Sequence, residues 1–259
     1  MERAPVIVGE SKGIREVRRR VADVAPYDVP VVLDGESGTG KDLVAARIHE
    51  TSRRCGNTYL PVNMGALSRE LVCSQLFGHE RGAFTGATER RRGLFELAHS
   101  GTLFLDEIAT LDMDLQAHLL RVLETRQFCR VGGGSTIKSD VRFLTATNVD
   151  LKRAVREGGF REDLYHRINV FEIHLPPLRA RGDDIVILAE HYLSRYAAEF
   201  DRPARRFDSP VYEAFHRYPW PGNVRELENL VLRMVVRATG ETIRIDDLPV
   251  ELRAVEPPV

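Results

Sequence analysis

Two stretches of the sequence carry side chains that suit phosphate chemistry. The first runs from Gly35 to Lys41, reads GESGTGK, and fits the pattern G-x-x-x-x-G-K. Glycines in such a loop let successive backbone N–H groups point at phosphate oxygens, and the lysine ammonium reaches the β- and γ-phosphates. In the second stretch, an apolar run ends in the carboxylates of Asp106 and Glu107. Together the two stretches predict a site that binds and hydrolyses a nucleoside triphosphate.

The two carboxylates have different predicted roles. Asp106 would hold Mg²⁺, and Glu107 would orient or deprotonate the attacking water. An Asp-Glu pair that closes a strand marks the start of a helix more often than a catalytic site, but the phosphate loop upstream favours catalysis. Asp42 stands where the general pattern has a Ser or Thr hydroxyl on Mg²⁺. Its carboxylate can hold the metal through a water or cap the helix that follows.

Three further polar residues are candidates for the same site. Asn148 follows an apolar run, where it would polarise water or the γ-phosphate, or else cap the next helix. Arg161 and Arg167 are separated by about 240° of rotation on one helix, so they do not reach one point in the same way. One or both would face a neighbouring subunit. The alternative is that they pair with Glu162 or Asp163 on the surface.

The elements that position these residues follow from the hydrophobic pattern. Short β-branched runs alternate with amphipathic segments, which predicts an α/β fold with βαβ units around a five-stranded parallel sheet. The predicted strands are Val29 to Asp34, Tyr59 to Asn63, Gly101 to Asp106, Val141 to Thr147 and Asn169 to Leu175. The predicted helices between them are Ile14 to Val24, Leu43 to Thr51, Leu67 to Phe77, Leu115 to Thr125 and Leu151 to Glu157. The carboxyl ends of parallel strands share one edge, so Asp106 would open onto the crevice of the phosphate loop.

A break in this pattern predicts a second domain. Two consecutive prolines, Pro176 and Pro177, exclude both helix and central strand. After them the sequence reads as helix only, with Ser209 as the N-cap of a helix whose first turn holds a proline. The predicted helices are Asp183 to Phe200, Ser209 to Tyr218 and Asn223 to Arg237. We expect a nucleotide-binding domain over residues 1–177, a small all-α lid domain over 178–252 and a tail over 253–259.

The composition excludes several classes of protein. The 259 residues carry 37 Lys and Arg against 38 Asp and Glu, a formal net charge of -1, so no overall basic field attracts nucleic acid. The longest apolar runs are far shorter than the roughly 20 residues of a membrane helix. Three scattered cysteines without metal-ligand spacing, and an N-terminus without an apolar leader, indicate a reducing, cytoplasmic compartment.

Residues Gly82 to Ala87 read GAFTGA, and with this motif the chain resembles a known family. It is similar to the central ATPase domain of NtrC-like bacterial enhancer-binding proteins, the activators of sigma-54 RNA polymerase within the AAA+ superfamily. The resemblance spans nearly the whole chain. The other matching segments are Val8-Gly9, Gly35 to Lys41, Phe95 to Ala98, Gly101 to Glu107, Arg130 to Gly133, Ala146 to Asn148, Phe160 to Arg167 and Trp220 to Leu227.

The resemblance implies a P-loop NTPase of the AAA+ type that uses ATP and Mg²⁺. It would assemble as a ring, usually a hexamer, and remodel the sigma-54 RNA polymerase holoenzyme to form the open complex. The implied ATP-binding residues are Val8, Gly9, Gly35, Glu36, Ser37, Gly38, Thr39, Gly40, Lys41, Asp42 and Arg225. Val8 and Gly9 would form the adenine-side wall, and Arg225 would be sensor II in the lid.

The resemblance also implies a role for each catalytic candidate. Asp106 and Glu107 match the Walker B pair, and Asn63 matches the residue that holds the catalytic Glu in a switchable orientation. Asn148 matches sensor I, and Arg161 and Arg167 match the arginines that act in trans on a neighbouring subunit's nucleotide.

The implied contact with sigma-54 is the loop formed by Gly82, Ala83, Phe84, Thr85, Gly86 and Ala87. Even without the resemblance Phe84 is unusual, because it has no periodic apolar partners and glycines flank its loop. It is either an exposed contact residue on a mobile loop or an aromatic that folds back on the core. A second glycine-rich segment, Gly132 to Ser135, is either a hairpin tip that supports this loop or a plain turn.

Three positions depart from the family pattern. Asp42 stands where the family usually has Glu, so it is a shortened acid rather than a lost hydroxyl. Met64 and Gly65 stand where small residues or Cys-Ala are more usual. Neither the difference at Asp42 nor the difference at Met64 and Gly65 touches the phosphate chemistry directly, so we expect the chain to hydrolyse ATP.

Two other functions fit part of the sequence. Another AAA+ machine, such as a clamp loader, unfoldase or chelatase subunit, would share the phosphate loop but not GAFTGA. A scaffold that binds ATP without turnover would need a damaged Walker B pair or missing arginines, whereas Glu107, Arg161 and Arg167 are present. The chain shows no recognition-helix pattern, so we expect the central domain of a longer protein, with DNA bound only through another domain and no contact with a membrane.

Overall fold

The computed structural model describes residues 6–65 and 69–253. The helices are α1 (Lys12–Val24), α2 (Lys41–Glu50), α3 (Arg69–Phe77), α4 (Leu94–Leu97), α5 (Met113–Thr125), α6 (Leu151–Arg156), α7 (Glu162–Ile168), α8 (Asp184–Glu199), α9 (Ser209–Arg217), α10 (Asn223–Arg237) and α11 (Val250–Arg253). The strands are β1 (Val31–Asp34), β2 (Tyr59–Asn63), β3 (Gly78–His79), β4 (Arg91–Arg92), β5 (Thr102–Asp106), β6 (Gln127–Cys129), β7 (Thr136–Lys138), β8 (Arg142–Thr147), β9 (Phe171–His174), β10 (Arg206–Phe207) and β11 (Thr242–Ile243).

Contacts divide the chain into two compact units. The described part of the first unit consists of Arg19–Asp34 and Lys41–His174, apart from residues 66–68. The second unit contains Val6–Arg18, Gly35–Gly40 and residues 175–253. The glycine-rich part of the phosphate loop, Gly35–Gly40, is thus grouped with the C-terminal residues, whereas Lys41 is grouped with the first unit, and the domain boundary expected at residue 177 stays a prediction.

A five-stranded sheet forms the centre of the first unit. Its order is β2-β5-β8-β1-β9, and every pair is parallel, as the sequence predicts. β8 is buried at all six positions, which is typical of a strand covered on both faces. The register places Asn63 beside Asp106 and Asp34 beside Thr147. Polar residues that end separate strands therefore meet at one edge of the sheet.

Apolar and aromatic side chains fill the space against this sheet. Phe95 is fully buried, and its ring lies 5.4 Å from that of Phe77 and 5.5 Å from that of Phe128. The helix α5 packs here, and its N-cap is Asp112, whose carboxylate accepts the N–H of Leu115 at 2.9 Å. Such a cap contributes about 1 kcal/mol. It starts the helix two residues before the predicted Leu115.

Two small antiparallel pairs interrupt the α/β pattern of the first unit. β3 pairs with β4 around residues 80–90, and β6 pairs with β7 around residues 130–135. A bridge between His79 and Val131 joins the two pairs. Strands of two or three residues carry too little periodicity to be visible in the sequence, and none of these four was predicted.

The second unit contains helices that pack around Trp220. This side chain is completely buried, and its indole N–H donates to the carbonyl of Phe215 at 2.8 Å. The prediction that Ser209 caps α9 was wrong, because Asp208 is the N-cap and its carboxylate accepts the N–H of Ser209. The expectation of helix alone was also incomplete, since β10 and β11 form a short parallel pair.

The predicted strands and longer helices agree with the structure to within two residues at each end, except at the start of α3. The predicted start of that helix, Leu67, lies outside the described residues. The helix α7 was missed because its buried residues, Leu164 and Ile168, span a single turn. None of the helices in residues 6–65 and 69–253 is long and apolar enough to cross a membrane.

Candidate nucleotide site and output loops

Three glycines shape the phosphate loop. Gly35, Gly38 and Gly40 have φ of +148°, +77° and +96°, a backbone region that residues with a Cβ rarely adopt. A Cβ at Gly35 would lie 2.6 Å from the carbonyl oxygen of Leu175, and one at Gly38 would lie 2.2 Å from that of Gly222. A Cβ at Gly40 would meet no atom of the described residues within 4 Å. The loop is therefore closed on one side and open at Gly40, as a phosphate cradle requires.

The buried guanidinium of Arg181 holds the same loop. It donates to the carbonyl of Thr39 at 2.9 Å and to that of Pro176 at 3.0 Å. The hydroxyl of Thr39 in turn donates to the carbonyl of Glu36 at 2.8 Å. Burial lowers the pKa of Arg181 to about 10, so the side chain is still charged at neutral pH. Arg181 was not predicted from the sequence.

The carboxylate of Glu36 is engaged by side chains from beyond the phosphate loop. Arg179 donates to both of its oxygens, and the amide of Asn223 donates to one of them at 3.1 Å. The Arg179 guanidinium, followed by the Asn223 amide, lowers the pKa of Glu36 to about 2. Glu36 was predicted to bind ATP. With its carboxylate paired in this way, only its backbone is left for that role.

Asn223 ties the phosphate loop to the start of α10. It is fully buried, has a φ of +52°, and donates to the carbonyl of Ser37 at 3.0 Å. Its side-chain oxygen accepts the N–H of Leu178 at 2.8 Å. Two positions further along, the N–H of Arg225 donates to the carbonyl of Gly38 at 3.2 Å. The structure thus brings the predicted Arg225 to the loop, together with Asn223, which was not predicted.

The predicted adenine-side wall is held by a buried aspartate. Asp184 accepts the N–H groups of Glu10 and Ser11 and also the Ser11 hydroxyl. A Cβ at Gly9, where φ is +130°, would lie 2.6 Å from a carboxylate oxygen of Asp184. Val8 packs against the helical core of the same unit. A glycine at position 9 is therefore required by both space and backbone conformation.

Several charged groups of the first unit act on Asp106. Burial raises the pKa of Asp106, the Glu107 N–H and the Lys41 ammonium oppose that rise, and the carboxylates of Glu107 and Asp42 add to it. Lys41 is buried at the start of α2, and Asp42 is exposed in the first turn rather than at the N-cap. The carboxylates of Glu107 and Asp42 therefore make ionisation of Asp106 less favourable, and a cation bound at Asp106 would offset this effect.

Glu107 has a constrained backbone. Its φ of +57° lies in the left-handed region, which costs a residue with a Cβ about 1 kcal/mol. The N–H of Glu107 donates to an Asp106 carboxylate oxygen at 2.9 Å, and its carbonyl accepts the N–H and the hydroxyl of Thr110. The carboxylate reaches across to Gly65, beside Asn63. The structure thus brings together Asn63, Asp106 and Glu107.

Asn148 follows β8 at the same edge of the sheet and is exposed. The alternative that it caps the next helix was wrong. Asp150 is the N-cap of α6, and its carboxylate accepts the N–H of Arg153 at 3.1 Å. The role of Asn148 as sensor I stays a prediction.

The two arginines have different surroundings within the chain. Arg161 is the residue before α7, and its guanidinium pairs with Asp163 at 2.7 Å, which is the surface alternative considered from the sequence. Arg167 lies in the last turn of α7 and donates to the carbonyl of Leu123 at 3.0 Å. The two guanidinium groups therefore have different partners, and because Arg161 precedes the helix, the rotation expected for two residues on one helix does not apply to this pair. Their action on a neighbouring subunit stays a prediction.

The loop with the sequence GAFTGA is closed by its own backbone. Gly82 donates to Ala87 at 2.9 Å, and Ala87 donates to Phe84 at 3.0 Å. Phe84 is 42% exposed, while one side of its ring packs edge-on against His79 at 5.0 Å. The structure therefore combines the two alternatives considered for Phe84. Ala87 is buried, so the exposed part of the loop is formed by Gly82, Phe84, Thr85 and Gly86, with Ala83 partly exposed.

The second glycine-rich segment packs against the first loop. Residues 132–135 lie in the connection between β6 and β7, so the hairpin, one of the two alternatives left open by the sequence, is the one present. A Cβ at Gly132 would lie 2.8 Å from that of Ala83. Beneath both loops the guanidinium of Arg130 bridges Glu96 at 2.6 Å and Glu80 at 2.7 Å. The two loops therefore rest on one ion-pair network.

Comparisons with known proteins agree with this arrangement. The sequence profile of the Sigma-54 interaction domain matches residues 7–174, and that of the AAA+ ATPase lid domain matches residues 179–258. A relative named DNA-binding transcriptional regulator NtrC, from Salmonella typhimurium, is 48% identical over 246 residues, which are 95% of this chain and 52% of that protein.

Solved structures of NtrX from Brucella abortus have the same fold. The complex with ATP gives a TM-score of 0.90 at 34% identity and covers 98% of this chain and 56% of that one. The complex with ADP gives a TM-score of 0.88 at 35% identity and covers 95% of this chain and 56% of that one.

The five-stranded parallel sheet, the phosphate loop and the helical C-terminal part define an AAA+ P-loop NTPase with a lid. The chain belongs to the sigma-54 interaction domain family. It spans about half the length of the curated relatives it matches.

Proposed function

We propose that this chain is a ring-forming ATPase that remodels the sigma-54 RNA polymerase holoenzyme and so promotes open-complex formation. One observation carries the proposal. The sigma-54 interaction profile matches residues 7–174, which include the phosphate loop, the Asp106-Glu107 pair and the GAFTGA loop. Clamp loaders and unfoldases share the first two features but not the third.

The residues present suit ATP with Mg²⁺. The open side of the phosphate loop at Gly40 leaves room for phosphate oxygens, and Lys41 supplies a charge-assisted contact. Asp106 would hold Mg²⁺, with Asp42 reaching it through a water. A bound Mg²⁺ neutralises charge on the β- and γ-phosphate oxygens. Repulsion from the carboxylates of Glu107 and Asp42 contributes to the raised pKa of Asp106. A cation bound at Asp106 would therefore favour its ionised form.

Hydrolysis would depend on residues from two subunits. Glu107 would orient the attacking water and accept its proton, and Asn63 would control the direction of that carboxylate. Asn148 would polarise the water or the γ-phosphate. Arg161 and Arg167 would act on the nucleotide of a neighbouring subunit, which requires a ring, and we propose a hexamer. Trans arginines contribute on the order of 10³ to 10⁵ in rate.

The exposed part of the GAFTGA loop would couple ATP hydrolysis to sigma-54. Phe84 and Thr85 would contact sigma-54, and the hairpin at Gly132 would hold the loop in position. A domain outside this chain would bind DNA, and the site of action would be the cytoplasm.

Two substitutions separate nucleotide binding from hydrolysis. Lys41→Ala should weaken ATP binding measured by calorimetry at least tenfold, because it removes a charge-assisted phosphate contact. Glu107→Ala should bind ATP with nearly unchanged affinity while turnover falls to background. Lys152→Ala, at an exposed lysine of α6, is the matched control and should behave like the wild type. Unchanged ATP affinity in Lys41→Ala, or unchanged turnover in Glu107→Ala, would contradict the proposal.

A further inference from the structure

A buried glutamine of α5 binds three backbone groups with its side-chain amide. Gln116 is completely buried in the first unit. Its amide nitrogen donates to the carbonyl of Leu111 at 2.7 Å and to that of Gly159 at 3.2 Å. Its amide oxygen accepts the backbone N–H of Arg161 at 2.8 Å. Both N–H groups and the oxygen of the amide are therefore in use, and the partners allow only one orientation of the amide.

Gln116 is itself held in the first turn of α5. Its backbone N–H donates to the carbonyl of Asp112, the N-cap of this helix, at 2.9 Å. Leu111 is buried at the end of the short turn that follows Glu107. The side chain of Gln116 therefore starts from the segment directly behind the Asp106-Glu107 pair, and it reaches from there to Arg161.

The segment that Gln116 reaches connects α6 to α7 and contains two consecutive glycines, Gly158 and Gly159. Gly158 has a φ of +75°, and a Cβ there would meet no described atom within 4 Å. Glycine backbones have more conformational freedom than those of other residues. Phe160 is buried and fixes its own side chain in the core. Because Gln116 binds the residues on both sides of Phe160, it also fixes the direction in which the backbone enters α7.

Arg161 lies at the end of this connection as the N-cap of α7. The first N–H groups of a helix have no acceptor within the helix, and the N–H of Arg161 finds its acceptor in Gln116. The guanidinium is 36% exposed and pairs with Asp163 on the surface. Since the arginine side chain is long and flexible, the place that its guanidinium reaches depends on where its backbone is held.

We propose that Gln116 is a positioning residue for Arg161, which fixes the backbone from which the guanidinium reaches a neighbouring subunit's nucleotide. The inference rests on the proposed function, in which Arg161 acts in trans. Trans arginines contribute on the order of 10³ to 10⁵ in rate. A displacement of about 1 Å in a catalytic group can cost about 10²-fold. Loss of the Gln116 amide therefore lowers turnover at the neighbour's nucleotide, whereas the subunit's own nucleotide site stays intact.

The test uses Gln116→Met, which keeps the length of the side chain and removes its N–H groups and oxygen. The matched control is Gln75→Met, the same change at a half-buried glutamine of α3. We expect kcat of Gln116→Met to fall roughly ten- to a hundredfold. Its affinity for ATP, measured by calorimetry, should be unchanged, because its own ATP-binding residues are untouched. Gln75→Met should match the wild type in both measurements.

Mixed rings show whose nucleotide is affected. Turnover of Gln116→Met should rise on mixing with Glu107→Ala, which supplies an intact Arg161. It should not rise on mixing with Arg161→Ala, because no subunit then holds a well-placed arginine. If Gln116→Met had damaged its own nucleotide site, Arg161→Ala would rescue it and Glu107→Ala would not. Rescue by Arg161→Ala, or no rescue by Glu107→Ala, overturns the inference.

A measurement on the wild-type chain covers the case in which Gln116→Met does not fold. In amide hydrogen exchange followed by NMR, the N–H of Arg161 should exchange about as slowly as that of Tyr165, which donates to the Arg161 carbonyl at 3.0 Å within α7. Exchange of the Arg161 N–H at the rate of an unstructured peptide would overturn the inference, because Gln116 would then not hold it.

Failure of the inference differs from failure of the proposed function. Wild-type turnover in Arg161→Ala would contradict the proposed function, since no arginine at position 161 would be needed. If Arg161→Ala is inactive and rescued by Glu107→Ala, while Gln116→Met keeps wild-type turnover, action in trans stands and only the role of Gln116 is refuted.

Discussion

Asn223→Ala should loosen the phosphate loop without removing a phosphate contact. The substitution deletes three hydrogen bonds, to Glu36, to Ser37 and from the buried N–H of Leu178. A buried polar group left without a partner costs about 1–3 kcal/mol. Alanine at the φ of +52° adds about 1 kcal/mol. The expected loss is about 3 kcal/mol, or roughly 6–12 °C in the unfolding midpoint measured by calorimetry.

Two other substitutions at position 223 separate the components of this loss. Asn223→Gly removes the same hydrogen bonds without the backbone strain, so its midpoint should be higher than that of the alanine variant by about 2–4 °C. Asn223→Asp keeps an acceptor for Leu178 but places a carboxylate against Glu36, so KM for ATP should rise more than in Asn223→Gly. Asn57→Ala, at an exposed amide with one hydrogen bond to Ser100, is the surface control.

If Asn223→Ala unfolds within about 2 °C of the wild type and binds ATP with the same affinity, the three hydrogen bonds do not hold the phosphate loop. The same conclusion would follow if the surface control lost as much stability as Asn223→Ala.

Three other predictions concern acid stability, assembly and the output loop. A guanidinium and an amide lower the pKa of Glu36 to about 2, so its ion pair stabilises the fold above the ordinary pKa of 4.5, and this contribution disappears as the pH falls toward 2. Because Glu36 is 43% exposed, the stability difference between wild type and Glu36→Gln should be at most about 1 kcal/mol at pH 7 and vanish near pH 2; a difference that persists there would be evidence against the ion pair. Arg161→Ala and Arg167→Ala should be nearly inactive but partly rescued by mixing with Glu107→Ala, and the absence of rescue in mixed-ring ATPase assays would argue against action in trans. Phe84→Ala should keep most of its ATP turnover, because Phe84 packs on His79 rather than on the acidic residues, and a large drop in kcat would place the loop in the active site.

The sequence predicted the sheet because short β-branched runs alternate with amphipathic segments along the first part of the chain. Every residue of β8 is buried, so its sequence could be read as a strand without knowledge of its neighbours. The parallel register also places Asn63, which was singled out by the family resemblance, next to Asp106. The small strands around the two loops have two or three residues each and depend on pairing with a distant segment, so no local pattern predicts them.

The residues that hold the phosphate loop were missed because their partners are far away in sequence. Arg179 and Asn223 meet Glu36 across more than 140 positions, and Arg181 reaches Thr39 over a similar separation. An arginine or asparagine in a helical segment is ordinarily a surface residue, so its type alone gives no signal. The one available hint was the glycine preceding Asn223, which indicates a tight turn where two parts of the backbone come close.

The central claim is that ATP hydrolysis in this chain acts on sigma-54 through the GAFTGA loop. The most direct test is size-exclusion chromatography of the purified chain with purified sigma-54, in the presence of ADP and a metal fluoride and in the absence of nucleotide. We predict a stable complex only with the transition-state analogue, and its loss in Phe84→Ala even though that variant still binds nucleotide. A complex that forms equally well without nucleotide, or one that Phe84→Ala retains, would contradict the account.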